Sequence, residues 1–471
     1  MAKGERRSDG RELERPLLGK EKPSDAKPLG LDANLLFSCL GNAFEWYDFA
    51  VFGFIAPELS KEIFPSSDGT TGLIEAFSVY AVAFLCRPVS GFVLGFLGDK
   101  WGRKHIITVA LIMMGVATLV AGATPSYRNI GIWSPVLLSI ARMLQGLSVG
   151  AQTTGTMLLV LEKSPYNSYG ILTAALVSSQ LSGFVLGALV PGVMRVFLFS
   201  PEMMLAWGWR VALWIGLIPC IFTFITHKDV TDEYTREEDN QEVDESALHA
   251  PKPRTDSSRK LRIDAVGTAV AVGIYVGGAL LFYLTLVWIP VHLNQTVGPT
   301  AGLAGTAAVA MFALVFIPIA GYTIDHVDTY VLGGLSRFLN GLFALPMLAF
   351  VLAAPSLTRF AIMTSVMLPI LAFDFVTTSK ILVPYFPAEG RYVSIAVAHN
   401  LGVGLTGGTA PMIAQIAAST SIGQLWLGGY VSIALLVSAL SVLVMHFRPR
   451  NYVKRDDMAI TVPLPESLKE G

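Results

Sequence analysis

The sequence predicts an all-α membrane protein, with twelve transmembrane helices in two pseudo-symmetric six-helix halves. Three observations carry this prediction. Only 15% of the 471 residues are charged and mean hydropathy is +0.56, whereas soluble domains average about 25% charged. Apolar runs of about 20 residues, the length that crosses hydrocarbon as a helix, recur along the chain. Finally, the stretch Gly-Phe-Leu-Gly-Asp-Lys-Trp-Gly-Arg-Lys from Gly95 to Lys104 has a weaker copy about half a chain later, Gly321-Tyr-Thr-Ile-Asp325. A duplicated bundle leaves such a trace.

Residues 1–33 are polar and charged with no apolar periodicity, and read as a disordered cytoplasmic tail without a cleavable signal. Within them Glu14-Arg-Pro-Leu-Leu18 is one residue short of an endolysosomal dileucine signal, and a stray leucine pair is the simpler account. The spans then fall at roughly 34–56, 73–95, 104–123, 133–156, 170–194, 208–227, 264–290, 300–321, 331–353, 357–379, 392–417 and 422–446. A stretch rich in Asp, Glu, Lys and Arg, residues 228–262, contains Pro251 and Pro253. It reads as a flexible linker between an N-terminal half, 34–227, and a C-terminal half, 263–446, with a cytoplasmic tail at 447–471.

The charges of Gly95–Lys104 exclude it from hydrocarbon, so it reads as a tight turn at a membrane face. Gly95 and Gly98 let backbones approach, and Gly102 suits a turn. With both termini cytoplasmic, most of the 34 Lys and Arg lie inside, and only Lys61, Arg128 and Arg359 lie clearly outside. Gly146 and Gly150, Ser179, Gly183 and Gly187, and the glycines from Gly402 to Gly408 suit close helix packing. Cys39, Cys86 and Cys220 all sit in apolar runs and read as small core residues rather than disulfides or metal ligands. No phosphate loop, metal-spaced His/Cys set or nucleophile elbow is present, so neither an enzyme nor a cofactor or metal is expected. The net charge of -1 gives no sign of a nucleic-acid partner.

Polar residues inside the apolar runs are the candidate site. Glu45 lies roughly 17 Å into the first span, and Asp48 follows at i+3 on the same face. Carboxylates at that depth persist when paired, protonated or lining a wet cavity. They are read as proton-coupling groups, against a structural pairing with an intramembrane arginine. Arg87, followed by a helix-bending Pro88, and Arg142 could each bind a substrate carboxylate or neutralise Glu45 or Asp48, and the sequence leaves both open. Asp374 is a deep acid of the second half. Tyr283 and Trp288 offer faces to a quaternary ammonium or an apolar ligand body, although packing is the commoner use of an aromatic in an apolar span.

These motifs resemble the major facilitator superfamily. Gly95–Lys104 matches its loop signature between the second and third helices. Gly41-Asn-Ala-Phe-Glu-Trp-Tyr-Asp-Phe49, Arg87-Pro88, Arg142-x-x-Gln-Gly146, Gly208-Trp-Arg210, His399-Asn-Leu-Gly402 and Gly407-Gly-Thr-Ala-Pro411 resemble its metabolite:H+ symporter branch of proline/betaine, citrate, α-ketoglutarate and shikimate carriers. The resemblance implies alternating access around a midplane site. It also implies gating by Gly95, Asp99, Gly102, Arg103 and Lys104. Where the branch usually has Gly-Gly-Glu after Gln145-Gly146, this chain has Gly150-Ala151-Gln152, an amide that cannot titrate. Another acid of the branch, before Phe386-Pro387, is replaced by Tyr385.

The expectation is therefore a monomeric secondary transporter in a lipid bilayer. It would bring in H+ together with a small organic carboxylate or zwitterionic osmolyte, at the plasma membrane or alternatively an endolysosomal or vacuolar one. An uncoupled facilitator or exchanger is the nearest rival, and a transport-dead receptor a more distant one.

Overall fold

In lipid every backbone amide must find a partner within its own segment, and a chain that is apolar over most of its length satisfies this with helices. The computed structural model of the chain describes residues 33–64, 69–101, 103–150, 154, 155, 157, 158, 161, 168–218, 221 and 263–448. The side chains of 33–38, 41, 44, 91–107, 308, 310–313, 388 and 389 lie outside that description. So do the dileucine-like Leu17 and Leu18, Gln152, Cys220, both tails and the 228–262 linker.

The N-terminal half is built of α1 (Ala33–Phe54), α2 (Gly69–Trp101), α3 (Arg103–Ala123), α4 (Trp133–Val149), α5 (Tyr169–Val193) and α6 (Trp209–Ile215). The C-terminal half holds α7 (Ala265–Tyr283), α8 (Pro299–Ile324), α9 (Thr329–Ala353), α10 (Leu357–Tyr385), α11 (Ala388–Gly402) and α12 (Gly423–Phe447). Among the described residues seven helical runs are long and apolar enough to cross a membrane on those grounds alone. The face where α1 begins and α12 ends is called the terminal face below.

Local chemistry sets the helix ends. The Asp264 carboxylate accepts from Gly267 N at the start of α7, Asp328 accepts from Tyr330 N and Val331 N at the start of α9, and Ser356 accepts from Arg359 N at the start of α10. Two helices continue through a wider π-type turn before a proline that has no N–H to donate. α7 runs through Leu284–Trp288 ahead of Pro290, and α11 through Val403–Gly407 ahead of Pro411.

The small residues work as their spacing predicts. A Cβ at Gly146 would collide with the Ala83 carbonyl of α2, and one at Gly183 with the Ala43 carbonyl of α1. The halves meet where α5 lies along α8 and where α2 lies along α11. At the first contact Gly170 and Gly321 face each other, and at the second Gly404 and Gly408 face Phe84.

Two expectations are corrected. The stretch from Gly95 is not a ten-residue turn: α2 stays helical to Trp101 and α3 begins at Arg103. Charged residues end a membrane span without ending the helix, because water solvates the side chains of a helix that projects past the hydrocarbon. For the same reason α10 continues beyond 379, to Tyr385.

Candidate functional site

Asp48 lies in a closed polar network between α1, α3 and α4. Its Oδ1 accepts from Thr118 Oγ1 at 2.9 Å, and its Oδ2 from Gln145 Nε2 at 2.6 Å. Gln145 Nε2 also donates to Thr118 Oγ1 at 2.9 Å, while Gln145 Oε1 accepts from Arg142 Nη1 at 2.7 Å. Arg142 Nη1 stands 3.7 Å from Asp48 Oδ2. Asp48 is 2% exposed, and Arg142 and Gln145 are fully buried. Glu45, one turn earlier, is also buried.

The two buried arginines described in the N-terminal half, Arg87 and Arg142, are caged by rings. The Arg87 guanidinium carbon is 4.2 Å from the Phe49 ring centre and 4.4 Å from that of Phe84. That of Arg142 is 4.2 Å from Phe52. Such contacts compensate part of the cost of burying a cation. The spacing left binding and pairing open for these two residues. The structure places Arg142 beside Asp48, and neither arginine borders the cavity described next.

That cavity has a volume of about 1050 Å³, its opening included. It lies between the halves. Asn42 and Trp46 of α1 and Thr173 and Gln180 of α5 face Tyr275 and Phe282 of α7, Asp374 of α10 and His399 of α11 across it. Toward the face opposite the terminal one it is capped by rings from both halves. Phe184 of α5 packs on Phe282 at 4.9 Å and on Tyr283 at 5.8 Å, and Tyr283 packs on Phe84 of α2 at 5.2 Å.

Tyr283 therefore borders the cavity, whereas Trp288 does not. Five residues carry the helix about 7 Å further toward the opposite face. There Trp288 is fully buried, stacks on His292 at 4.8 Å and donates Nε1–H to Gln415 Oε1 at 3.0 Å.

Asp374 does line the cavity, together with a residue the sequence reading passes over, Arg337 of α9. Asp374 Oδ1 accepts from the Ser336 hydroxyl and lies 3.8 Å from Arg337 Nη1. Arg337 also donates to the Gly333 carbonyl at 2.7 Å, the Asp374 carbonyl at 2.9 Å and Thr378 Oγ1 at 2.6 Å. The signal was present: Arg337 is a lone cation in an apolar run, as Arg87 and Arg142 are. Among the described residues each half thus buries an Asp–Arg pair buttressed by hydroxyls.

A second cluster ties the halves together at the terminal face. Asp325, from the weaker motif copy, accepts from Gly170 N at 2.8 Å and Ile171 N at 3.1 Å, the first amides of α5. Lys380 Nζ donates to Asp325 Oδ1 and to the Ile324 carbonyl, each at 2.7 Å. The carboxylate sits at the positive end of the α5 dipole and also neutralises a buried lysine. Nearby Asn400 Nδ2 of α11 donates to the Gly150 carbonyl at the end of α4, at 2.6 Å. Of the first copy, Gly102 and the side chains of Asp99, Arg103 and Lys104 lie outside the described residues, and Gly95 is known only as part of α2.

Two helical halves around a central cavity, with buried ion pairs and a closure between halves at one face, define a membrane transporter rather than an enzyme. The family model for the Major Facilitator Superfamily matches residues 38–373. The chain is 30% identical over 389 residues to the proline/betaine transporter of Salmonella typhimurium, covering 81% of this chain and 77% of that one. It is 29% identical over 445 residues to the glycine betaine/proline/ectoine/pipecolic acid transporter OusA of Dickeya dadantii, covering 90% and 87%. The partially occluded inward-open structure of the xylose transporter XylE from E. coli has the same fold, with a TM-score of 0.65 at 17% identity over 89% of this chain and 98% of that one. The chain belongs to the Major Facilitator Superfamily. It is a multi-pass integral membrane protein and a secondary transporter of small organic solutes.

Proposed function

We propose that this chain brings a small zwitterionic solute into the cell together with H+, by rocking its two halves around the central cavity. The observation that carries this reading is the cavity wall. Among the described residues it holds one carboxylate and one guanidinium, Asp374 and Arg337, among the rings of Trp46, Tyr275, Phe282 and Tyr283. Opposite charges among aromatic faces suit a compact solute that carries both charges. The named substrates of the relatives, proline, betaine, ectoine and pipecolic acid, are of this kind.

Asp48 is the proton-coupling group, with Glu45 beside it on α1. Its neighbours Thr118 and Gln145 are neutral, so protonation of Asp48 leaves the buried Arg142 without its counter-ion, and that cost links the proton to a rearrangement of the network. Arg87 and Arg142 serve as counter-ions within the N-terminal half. The terminal face is cytoplasmic, where the positive-inside pattern puts it, in the plasma membrane. Asp325 and Lys380 close that face, and Asp99, Arg103 and Lys104 do so on the other half. The chain works as a monomer of two six-helix halves joined by the 228–262 linker.

The test is uptake into proteoliposomes with an acidified exterior, offering labelled glycine betaine, proline and citrate separately with a pH dye trapped inside. Uphill accumulation of a zwitterion with internal acidification is expected. Accumulation of citrate alone would overturn the zwitterion assignment. A second reading, an uncoupled facilitator, is favoured by Gln152 standing where the branch has a titratable acid. It predicts equilibration that a protonophore leaves unchanged.

A further inference from the structure

Glycine inside a helix is destabilising relative to alanine, so a helical glycine calls for a reason. For most glycines of this bundle the reason is close packing. A Cβ at Gly277 would fall 2.6 Å from Leu435 Cα of α12, and one at Gly402 would fall 2.6 Å from Tyr275 Cβ. Gly278, the next residue of α7, is different. The nearest atom to a Cβ placed there is Asp374 Cβ, at 4.0 Å. Gly278 borders the cavity and is buried, so it neither packs a helix nor faces lipid. What its missing side chain leaves is free space in the cavity wall beside Asp374.

Among the described residues five that line the cavity, Thr173, Tyr283, Arg337, Asp374 and His399, have a polar atom without a hydrogen-bond partner, and two of these form the ion pair. Asp374 Oδ2 is an acceptor without a donor, and Arg337 Nε is a donor without an acceptor. Asp374 is 2% exposed and Arg337 is 1% exposed. Buried polar groups are nearly always paired, and a vacant one beside a cavity marks a place for a ligand group. Here the vacant acceptor belongs to an anion and the vacant donor to a cation, in the same ion pair. Tyr275, Phe282 and Phe375 supply ring faces around the same part of the cavity.

The geometry points to a zwitterion subsite in which the notch over Gly278 seats the substrate's ammonium against Asp374 Oδ2. The carboxylate meets Arg337 Nε, and Gly278 sets how bulky the nitrogen substituents can be. This assignment rests on the zwitterion reading above and adds a specificity-determining position to it. A trimethylammonium group is nearly spherical and needs the depth of the notch. The secondary ammonium of proline is part of a flat ring and needs less. A side chain at Gly278 grows into the notch and removes the room for methyl groups first. Asp374 supplies the charge that attracts both kinds of ammonium, and the rings stabilise the methylated one through cation–π contact.

The test is binding of glycine betaine and proline to the purified full-length chain by titration calorimetry, for wild type, Gly278→Ala, Gly278→Val and Asp374→Asn. Size-exclusion profile and melting temperature check folding. Gly278→Val should weaken betaine at least tenfold and proline less than threefold, with Gly278→Ala between it and wild type. Asp374→Asn should weaken both at least tenfold. A betaine-to-proline affinity ratio that stays at the wild-type value in folded Gly278→Val overturns the subsite while leaving the zwitterion reading in place. If Gly278→Val does not fold, Gly278→Ala decides on the same ratio. A wild-type chain that binds neither solute overturns both.

Discussion

Asp48 has neutral donors on both oxygens and a cation 3.7 Å away. Burying an ion costs several kcal/mol, offset only when its remaining lone pairs are satisfied. Gln145 holds this network together, since it donates to Asp48 and accepts from Arg142. Gln145→Leu is roughly isosteric but leaves the carboxylate and the guanidinium each short of a bond, and an unsatisfied buried group costs about 1–3 kcal/mol. A clear fall in melting temperature is the expected result, and an unchanged one would mean that water replaces the amide. Asp48→Asn should abolish uphill, proton-driven uptake while substrate exchange across the membrane continues. Unchanged accumulation in that variant would remove Asp48 from the coupling role. At this scale the sequence displays charges but not partners. Glu45, Asp48, Arg87, Arg142 and Asp374 stand out because a charge in an apolar run is expensive wherever it points. Thr118 and Ser336 are unremarkable in such a run, and only the packing of α3 and α9 against their neighbours brings them to a carboxylate.

Helix ends and helix contacts explain more than their composition does. The weaker motif copy looked like a worn repeat, yet its Asp325 joins α8 to the first amides of α5 and to Lys380 of α10. Asp325→Asn keeps the shape but removes the charge facing Lys380 and the α5 dipole. It should shift the chain toward a state open at the terminal face, read as faster labelling of a cysteine placed at Ser379 by a water-soluble maleimide. No change in labelling would show that the packing of Gly170 on Gly321 holds the closure without the ion pair. Glycines separate into two groups on the same reasoning. Gly183→Val drives a side chain into the Ala43 carbonyl and should cost folded yield. Gly429 on α12 has nothing within 4 Å of a Cβ, so Gly429→Ala should be neutral or stabilise by up to about 1 kcal/mol. At the edge of the bundle burial raises the Asp264 carboxyl. Hydrogen bonds from Arg448 and from the Gly267 amide outweigh that, and its pKa lies below the ordinary value. A depressed folded-state pKa means the cap and ion pair contribute fully above the unfolded value of about 4 and are lost only as pH falls below it. The start of α7 therefore keeps this support throughout the range in which a proton-driven carrier is assayed.

For the whole molecule, the motif copy at Gly321–Asp325 reads the repeat, and hydropathy reads the spans, because length and apolar content are properties of single segments. It cannot read which helices of one half touch which of the other, since α5–α8 and α2–α11 join segments far apart in sequence through residues as plain as Gly170, Gly321, Phe84 and Gly408. Those contacts decide what a rocking motion must break. On the terminal side the halves touch through Asn400 on the Gly150 carbonyl and through Ser379, whose Oγ lies 3.1 Å from the Met157 sulfur. Toward the opposite face they touch through Phe184, Phe282, Tyr283 and Phe84. Alternating access requires one set to part while the other closes, so fixing either should stop transport without unfolding either half. Met157→Cys with Ser379→Cys, in a chain whose Cys39, Cys86 and Cys220 are changed to Ala, places two thiols on α10 and beyond the end of α4. Oxidation should cut uptake at least tenfold, and a reductant should restore it. Binding of a zwitterion in detergent should then survive only from the side that stays open. Full-rate transport in the cross-linked chain would mean that this side never parts, leaving the aromatic contacts between α2, α5 and α7 as the moving closure.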